Sequence, residues 1–448
     1  ISIIGSGLTG FGISVWIFTQ TGRATPFALV AVAYNLPRIL LQPVAGSFAD
    51  RYNRKKIMIL ADTGAALVTL GFASLIFTGN LQLWHVYLGS GLASAFSTFQ
   101  DPAQRASITM IVPKKNLARA GGLQQVGFAV NSIVVPILAA FLYAAVGLNG
   151  IILIDFITFF FAIGALLLIH IPQPELKTEV DGDGKGTLWK DAVFGWNYIR
   201  ERPGLFGLLW YYAAVNFFLS LSGPLWGPLI LSFGTEIDFG TVQMAAGVGM
   251  LLGGVVMGVW GGPKKRKIPA IIAAIGLSSI GFLVASLQPT VLIVALGQAV
   301  ILFFIPIASA LSQAIWQVKV PADIQGRVFS IRLMIGQSVL PLANLLAGPL
   351  GDNLLEPLMA EGGALSATFI GGIIGVGTGR GFALAFLISG AFLLVLSLFV
   401  LIYPRIRNLE VEIPDAIPDD LDEGSAVGAG DEMNPGSSGD LGHTAGGK

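Results

Sequence analysis

The segment Gly46-Ser47-Phe48-Ala49-Asp50-Arg51-Tyr52-Asn53-Arg54-Lys55-Lys56 sets one carboxylate among four bases on a short hairpin between two apolar stretches, each long enough to cross a bilayer. Charged side chains cost at least about 2.5 kcal/mol each at a bilayer centre, so the hairpin must sit at a membrane face. Its chemistry is electrostatic. Asp50 closes the second apolar stretch, Arg54 follows four residues later and can bond it, and Gly46 lets another helix approach closely. A carboxylate so placed is stabilised by the positive N-terminal end of a neighbouring helix, for which the one beginning near Ile331 is the candidate. Gly46, Asp50, Arg51, Arg54 and Lys55 therefore read as a gating latch; a plain topology anchor accounts for the bases but not for Asp50.

Three further ionisable groups fall inside apolar stretches: Arg38 near the middle of the second, Asp62 about a turn and a half into the third, and Asp155 in the outer half of the sixth. One reading makes Arg38 an anion or substrate contact and Asp62 or Asp155 a proton carrier. The other pairs them with one another or with backbone, so that they hold one lobe together. Covalent and metal chemistry find no support in the residue types. Cysteine is absent, and His85, His170 and His443 stand without a second ligand at i+4. Gly377-Thr378-Gly379-Arg380-Gly381 follows no expected strand and lacks the lysine of a phosphate loop, so it reads as a flexible turn. No catalytic residue, metal, cofactor or nucleic-acid contact is expected, and the chain does not read as an enzyme.

The elements that must position these groups follow from composition. Hydrophobic residues make up 54 % of the 448 and charged ones only 12 %, with a mean hydropathy of +0.76, which places the chain in the lipid bilayer. Runs of about 20 apolar residues cross about 30 Å of hydrocarbon. Twelve such spans are found, near 1–20, 26–49, 57–79, 82–101, 119–146, 149–171, 204–233, 239–261, 268–287, 290–313, 331–351 and 381–403. In the resulting topology the loops on one side hold nearly all Lys and Arg, and the opposite loops hold only Arg23 and Arg380. Basic loops resist translocation, so both termini and the central loop are expected in the cytoplasm.

The all-α chain divides into a six-helix bundle over 1–171, a polar linker over 172–203, a second six-helix bundle over 204–403 and a tail over 404–448. Within the linker Leu188, Trp189, Ala192, Val193, Trp196 and Ile199 recur at helical spacing, the pattern of an interfacial helix. The tail holds ten of the 26 acids and few large apolar groups, so it is expected to be disordered. The bundles echo each other: Gly46 precedes Arg54-Lys55 as Gly258 precedes Arg266-Lys267, and Val112-Pro113 with Arg119 matches Val320-Pro321 with Arg327. Two repeated bundles are what alternating access requires, since rocking one over the other exposes a midplane site to each side in turn.

At this point the hairpin is recognisable. Gly46, Asp50, Arg51, Arg54 and Lys55 match the Gly-x-x-x-Asp-Arg-x-Gly-Arg-Arg/Lys signature of the major facilitator superfamily, with Asn53 in place of the usual glycine. The chain resembles that family over all twelve spans. It also resembles the branch of drug:proton antiporters with macrolide efflux proteins and the enterobactin exporter. That likeness lies in Trp16-Ile17-Phe18-Thr19-Gln20-Thr21-Gly22, Leu36-Pro37-Arg38, Gln325-Gly326-Arg327-Val328 and Gly377-Thr378-Gly379-Arg380-Gly381. The antiporter signature Gly-Pro-x-x-Gly-Gly is reduced to Val135-Pro136-Ile137-Leu138-Ala139-Ala140.

The resemblance implies that Asp101 joins the latch as a second carboxylate. It further implies that spans one, four, seven and ten line a central cavity. Their candidates are Trp16 and Phe18, then Phe96 and Gln100, then Tyr211, Tyr212 and Asn216, then Gln298, Phe303 and Gln313. Aromatic walls with scattered amides suit amphipathic organic ligands better than sugars. The expected function is export of drug-, macrolide- or siderophore-like molecules by a monomer in a bacterial inner membrane, with protons as the coupling ion. An importer or lipid flippase on the same scaffold is the nearest rival, and a polytopic receptor or intramembrane enzyme the rival of another class.

Overall fold

A computed structural model describes residues 2–111, 117–168, 193–263, 266–321 and 324–416, and is helical with short connections over them. Hydrocarbon offers no water to satisfy exposed backbone, so long apolar runs have helices as their only open-ended solution. The long helices are Ser2–Thr21 (α1), Ala24–Arg51 (α2), Arg54–Phe77 (α3), Leu83–Ile111 (α4) and Leu117–Leu168 (α5). A short helix over 193–200 (α6) precedes Pro203–Ser222 (α7), which Trp226–Leu231 continues. Glu236–Trp260 (α8), Lys267–Leu287 (α9), Val291–Lys319 (α10), Gln325–Leu350 (α11) and Arg380–Ile402 (α12) complete the set.

Among the described residues nine helices are long and apolar enough to cross a membrane. The expected count of twelve is consistent with them: α1 and α4 coincide with two further expected spans, and α5 covers two, turning at Gly147, whose φ of 65° suits glycine. One lobe packs α1 on α5 and α2 and α3 on α4; the other packs α8 and α9 on α10 and α7 on α11. The lobes meet along α5 against α8 and α2 against α11.

Within the second lobe, Gly249 and Gly253 of α8 lie directly on the backbone of Ala299 and Phe303 in α10, where any Cβ would collide. Gly254 and Gly258 meet nothing. Gly253→Val is therefore expected to destabilise the purified protein by about 1–3 kcal/mol, read as a lowered melting temperature, while Gly254→Ala is expected to leave it unchanged.

Two connections differ from expectation. The described part of the linker helix is packed on the second lobe as well as being near the surface: Ile199 is fully buried, and Gly195 rests on the Arg327 carbonyl and Ile331 of α11. Leu188, Trp189 and Ala192 lie outside the described residues. Residues 404–416, counted with a disordered tail, are folded. Pro404–Arg407 and Leu409–Glu412 form single helical turns. The Glu410 carboxylate accepts the N–H groups of Lys267 at 2.9 Å and Ile268 at 3.0 Å, capping α9. Lys319, only 5 % exposed, donates to the carbonyls of Glu410 at 2.7 Å and Ile413 and pairs with Asp415 at 2.6 Å. The block of acids concealed this, because two of them have fixed partners on the bundle. Residues 417–448 lie outside the described ones.

Candidate functional site

The end of the bundle that carries the Asn53–Lys56 turn, Lys267 and Lys319 is the basic end; the far end is where the lobes are joined. There the Asp352 carboxylate, just past α11, sits on the N-terminus of α2. It accepts the N–H groups of Ala24 at 2.8 Å and Thr25 at 2.7 Å and the Thr25 hydroxyl at 2.5 Å. Arg23 flanks it at 3.6 Å and also donates to Asn353 Oδ1 at 3.1 Å. The carboxylate thus fills orphan donors and faces the positive end of the helix dipole across the two lobes. Gly348 of α11 lies against Thr25 and Ala28, and Gly240 of α8 against Pro136 and Ala140 of α5. Phe11 stacks on Phe239 with ring centres 5.0 Å apart.

Next to this seal both lobes line a half-open pocket of about 310 Å³. Gly7, Gly10, Phe11 and Ser14 of α1, Phe27 of α2 and Asn131 and Pro136 of α5 form one wall; Trp226, Gly227, Phe239 and Gln243 form the other. Its lining has four aromatic rings, three hydrogen-bonding side chains and no charged one. Gln298, buried in α10, donates to Gln243 Oε1 at 2.9 Å and so fixes that amide. Sequence reasoning passed over most of this surface. The signal was present in the 7, 10, 11, 14 spacing, which puts one helix face of α1 on the seam.

The residues expected on the cavity wall are dispersed. Trp16 packs with Ile13, Ile17 and Phe72 in the core of the first lobe, and Phe96 fills the notch left by Gly64. Phe18 is half-buried on α1. Tyr211 is buried and shares a hydrogen bond with Ser397 Oγ of α12 at 2.9 Å, facing away from the first lobe. Asn216 donates to the Gly336 carbonyl at 3.0 Å, tying α7 to α11. Phe303 stands edge-on to Phe304 with centres 4.9 Å apart. Only Tyr212 and Gln313 share one place. The Tyr212 hydroxyl donates to the Ala308 carbonyl at 2.6 Å, and Gln313 accepts from Arg332 at 2.8 Å.

The charged candidates do not meet as one group. Arg38, expected as a buried charge, is about half exposed and bonds Asp101 at 3.3 Å across α2 and α4. Asp62 is buried on α3 and accepts from Gln100 Nε2 of α4 at 2.7 Å. Asp155 is buried on α5 and accepts the Thr9 hydroxyl at 2.7 Å, with the Thr69 hydroxyl at 3.5 Å. Gly46, Asp50 and Arg51 lie on the last turns of α2, their side chains outside the described ones. Asn53 caps α3 through the Lys56 N–H, and Lys55 donates to the Leu167 carbonyl at 3.0 Å. Neither Arg23 nor Arg380, the two bases of the far face, is idle: Arg380 is buried and donates to the Ile374 carbonyl at 3.0 Å, while Glu356 caps α12 through Gly379 and Phe382.

Comparison with known proteins places this arrangement. The family model described as Major Facilitator Superfamily matches residues 1–344. Macrolide efflux protein A of Streptococcus pyogenes is 27 % identical over 358 residues, covering 79 % of this chain and 87 % of that protein. The multidrug efflux pump Tap of Mycolicibacterium fortuitum is 24 % identical over 360 residues, covering 78 % and 86 %. A bacterial homologue of the human lysosomal transporter Spinster shares the fold, with a TM-score of 0.64 at 16 % identity over 92 % of this chain and 95 % of that one.

Proposed function

This chain belongs to the Major Facilitator Superfamily, and from that premise we propose that it exports hydrophobic or amphipathic small molecules across a bacterial plasma membrane by alternating access, in exchange for protons. One observation carries the reading: the seam pocket takes its walls from both lobes and presents aromatic rings with Ser14, Asn131 and Gln243 but no charge. Such a surface fits a greasy molecule with scattered hydrogen-bonding groups and would leave most hydroxyls of a sugar unpaired, at about 1–3 kcal/mol each. Relatives named for macrolide and multidrug efflux support export as the direction. The distribution of Lys and Arg supports a cytoplasmic basic end with both termini on that side. In this reading the Asp352 seal faces outward and closes the outer side of the seam. Rocking the lobes would part the two walls of the pocket and release its occupant on the far side.

Asp62 and Asp155 are the proton carriers in this reading. Their hydrogen-bond partners, Gln100 for the one and Thr9 and Thr69 for the other, are neutral, so a proton can be taken or released without breaking an ion pair. Accumulation of a panel of hydrophobic dyes, macrolides and siderophores in cells with and without the protein tests the proposal. The protein should lower retention several-fold for some members, and a protonophore should erase the difference. Raised retention would favour an importer on the same scaffold. Transport that keeps its full pH dependence in both Asp62→Asn and Asp155→Asn would remove the two carboxylates from coupling.

A further inference from the structure

Arg332 is a partly buried cation near the basic end of α11 that the function so far leaves unused. It lies seven residues into α11, about 10 Å along the helix from its start at the basic end. Nη1 donates to Gln313 Oε1 at 2.8 Å, Nη2 lies 3.4 Å from Ser312 Oγ, and the guanidinium carbon is 5.1 Å from the ring centre of Trp316. All three partners sit on α10, which packs on α8 and α9 rather than on α11, so the side chain bridges two helices that are not close-packed neighbours. Tyr212 makes a similar bridge from α7 to the Ala308 carbonyl of α10.

Every one of these partners is neutral. Arg23, Arg38 and Lys319 each have a carboxylate within 4 Å, whereas among the described residues none lies that close to Arg332. Ser312 and Trp316 behind it are 0 % and 1 % exposed, while Arg332 keeps part of its surface open. A guanidinium presents five N–H donors in a planar fork that matches an oxyanion, and two protein acceptors do not use them all. A partly buried cation without a counter-ion is costly, and a ligand that supplies the anion recovers the cost. We propose that Arg332 recognises a carboxylate or phosphate group on the transported molecule, so that the substrates of this chain include amphipathic anions. The inference rests on the export reading above and adds the charge of the cargo.

The test uses the purified full chain in phosphatidylcholine nanodiscs, titrated with dansyl-aminoundecanoic acid and with its methyl ester, binding being read from dansyl fluorescence. The wild type is expected to bind the acid at least about tenfold more tightly than the ester, the scale of a charge-assisted bidentate contact. Arg332→Gln should remove that preference while leaving ester affinity and melting temperature unchanged, and Arg332→Lys should restore part of it. An ester bound as tightly as the acid, or an equal loss of both in Arg332→Gln, overturns the inference. If replacing a third of the lipid by phosphatidylglycerol abolishes the preference, the cation serves a lipid headgroup and the assignment to cargo falls. Failure of the wild type to bind either probe counts instead against amphiphile export, the premise from which the inference starts.

Discussion

Replacing Asp352 with alanine is expected to release the seam between the lobes and to shift the protein toward the state open at the far end. The carboxylate accepts two backbone N–H groups and a hydroxyl from α2, faces the positive end of that helix and is flanked by Arg23. Losing charge-assisted bonds of this type costs about 2–4 kcal/mol, a shift of roughly 30- to 700-fold in the balance between the two states. The native chain has no cysteine, so Ser14→Cys in the seam pocket gives a single reporter. Its labelling by a membrane-impermeant maleimide, applied from the far side, should accelerate at least about tenfold in the Asp352→Ala background. Asp352→Asn should fall between, since an amide oxygen still accepts a bond but no longer offers a charge to the helix dipole. Transport should drop in the same order, because a cycle that cannot re-form its sealed state stalls. Unchanged labelling in Asp352→Ala would show that the lobes are held shut by apolar contacts such as Phe11 on Phe239.

Lys319→Ala is expected to be the most destabilising change at the basic end. The ammonium is 5 % exposed and satisfies two carbonyls and the Asp415 carboxylate, all from the segment after α12. Removing the ammonium leaves the two buried carbonyls without their donor, at about 1–3 kcal/mol, while Asp415, 42 % exposed, turns to water and adds little. The expected readout is local: trypsin should cut at Arg405 and Arg407 at least about tenfold faster, while the melting of the first lobe is little changed. Glu410→Gln should act in the same direction with a smaller effect, since the amide still accepts one of the two α9 N–H groups. Equal cleavage in wild type and Lys319→Ala would mean that the segment is held by Ile406 and Leu409, both buried, and not by the cation.

Much of the candidate site was legible one residue at a time but not in its pairings. Asp62 and Asp155 were visible because a carboxylate in an apolar run stands out, and both prove buried. Their partners were not, since Gln100 is 38 residues from Asp62 and Thr9 is 146 from Asp155. Arg332, the second residue of the expected span 331–351, carried no signal of its own in the sequence, and only its surroundings of Gln313, Ser312 and Trp316 distinguish it from a loop base. Tyr211 carried the right composition for a cavity wall, yet helix rotation turned it to Ser397.

The sequence by itself determined the all-helical membrane class, most of the membrane-crossing helices and the family. Those properties are one-dimensional: a bilayer sets the length of an apolar run, and basic residues mark its ends. Only the tertiary structure decided which helices adjoin, and with that the seal of Asp352 on Ala24 and Thr25, the pairing of Arg38 with Asp101, and the neutral pocket at the seam. Apolar patterning alone could not settle these, because lipid-facing and helix-facing positions are equally hydrophobic in a membrane, and neighbours are chosen instead by close packing and by a few polar bonds between distant residues.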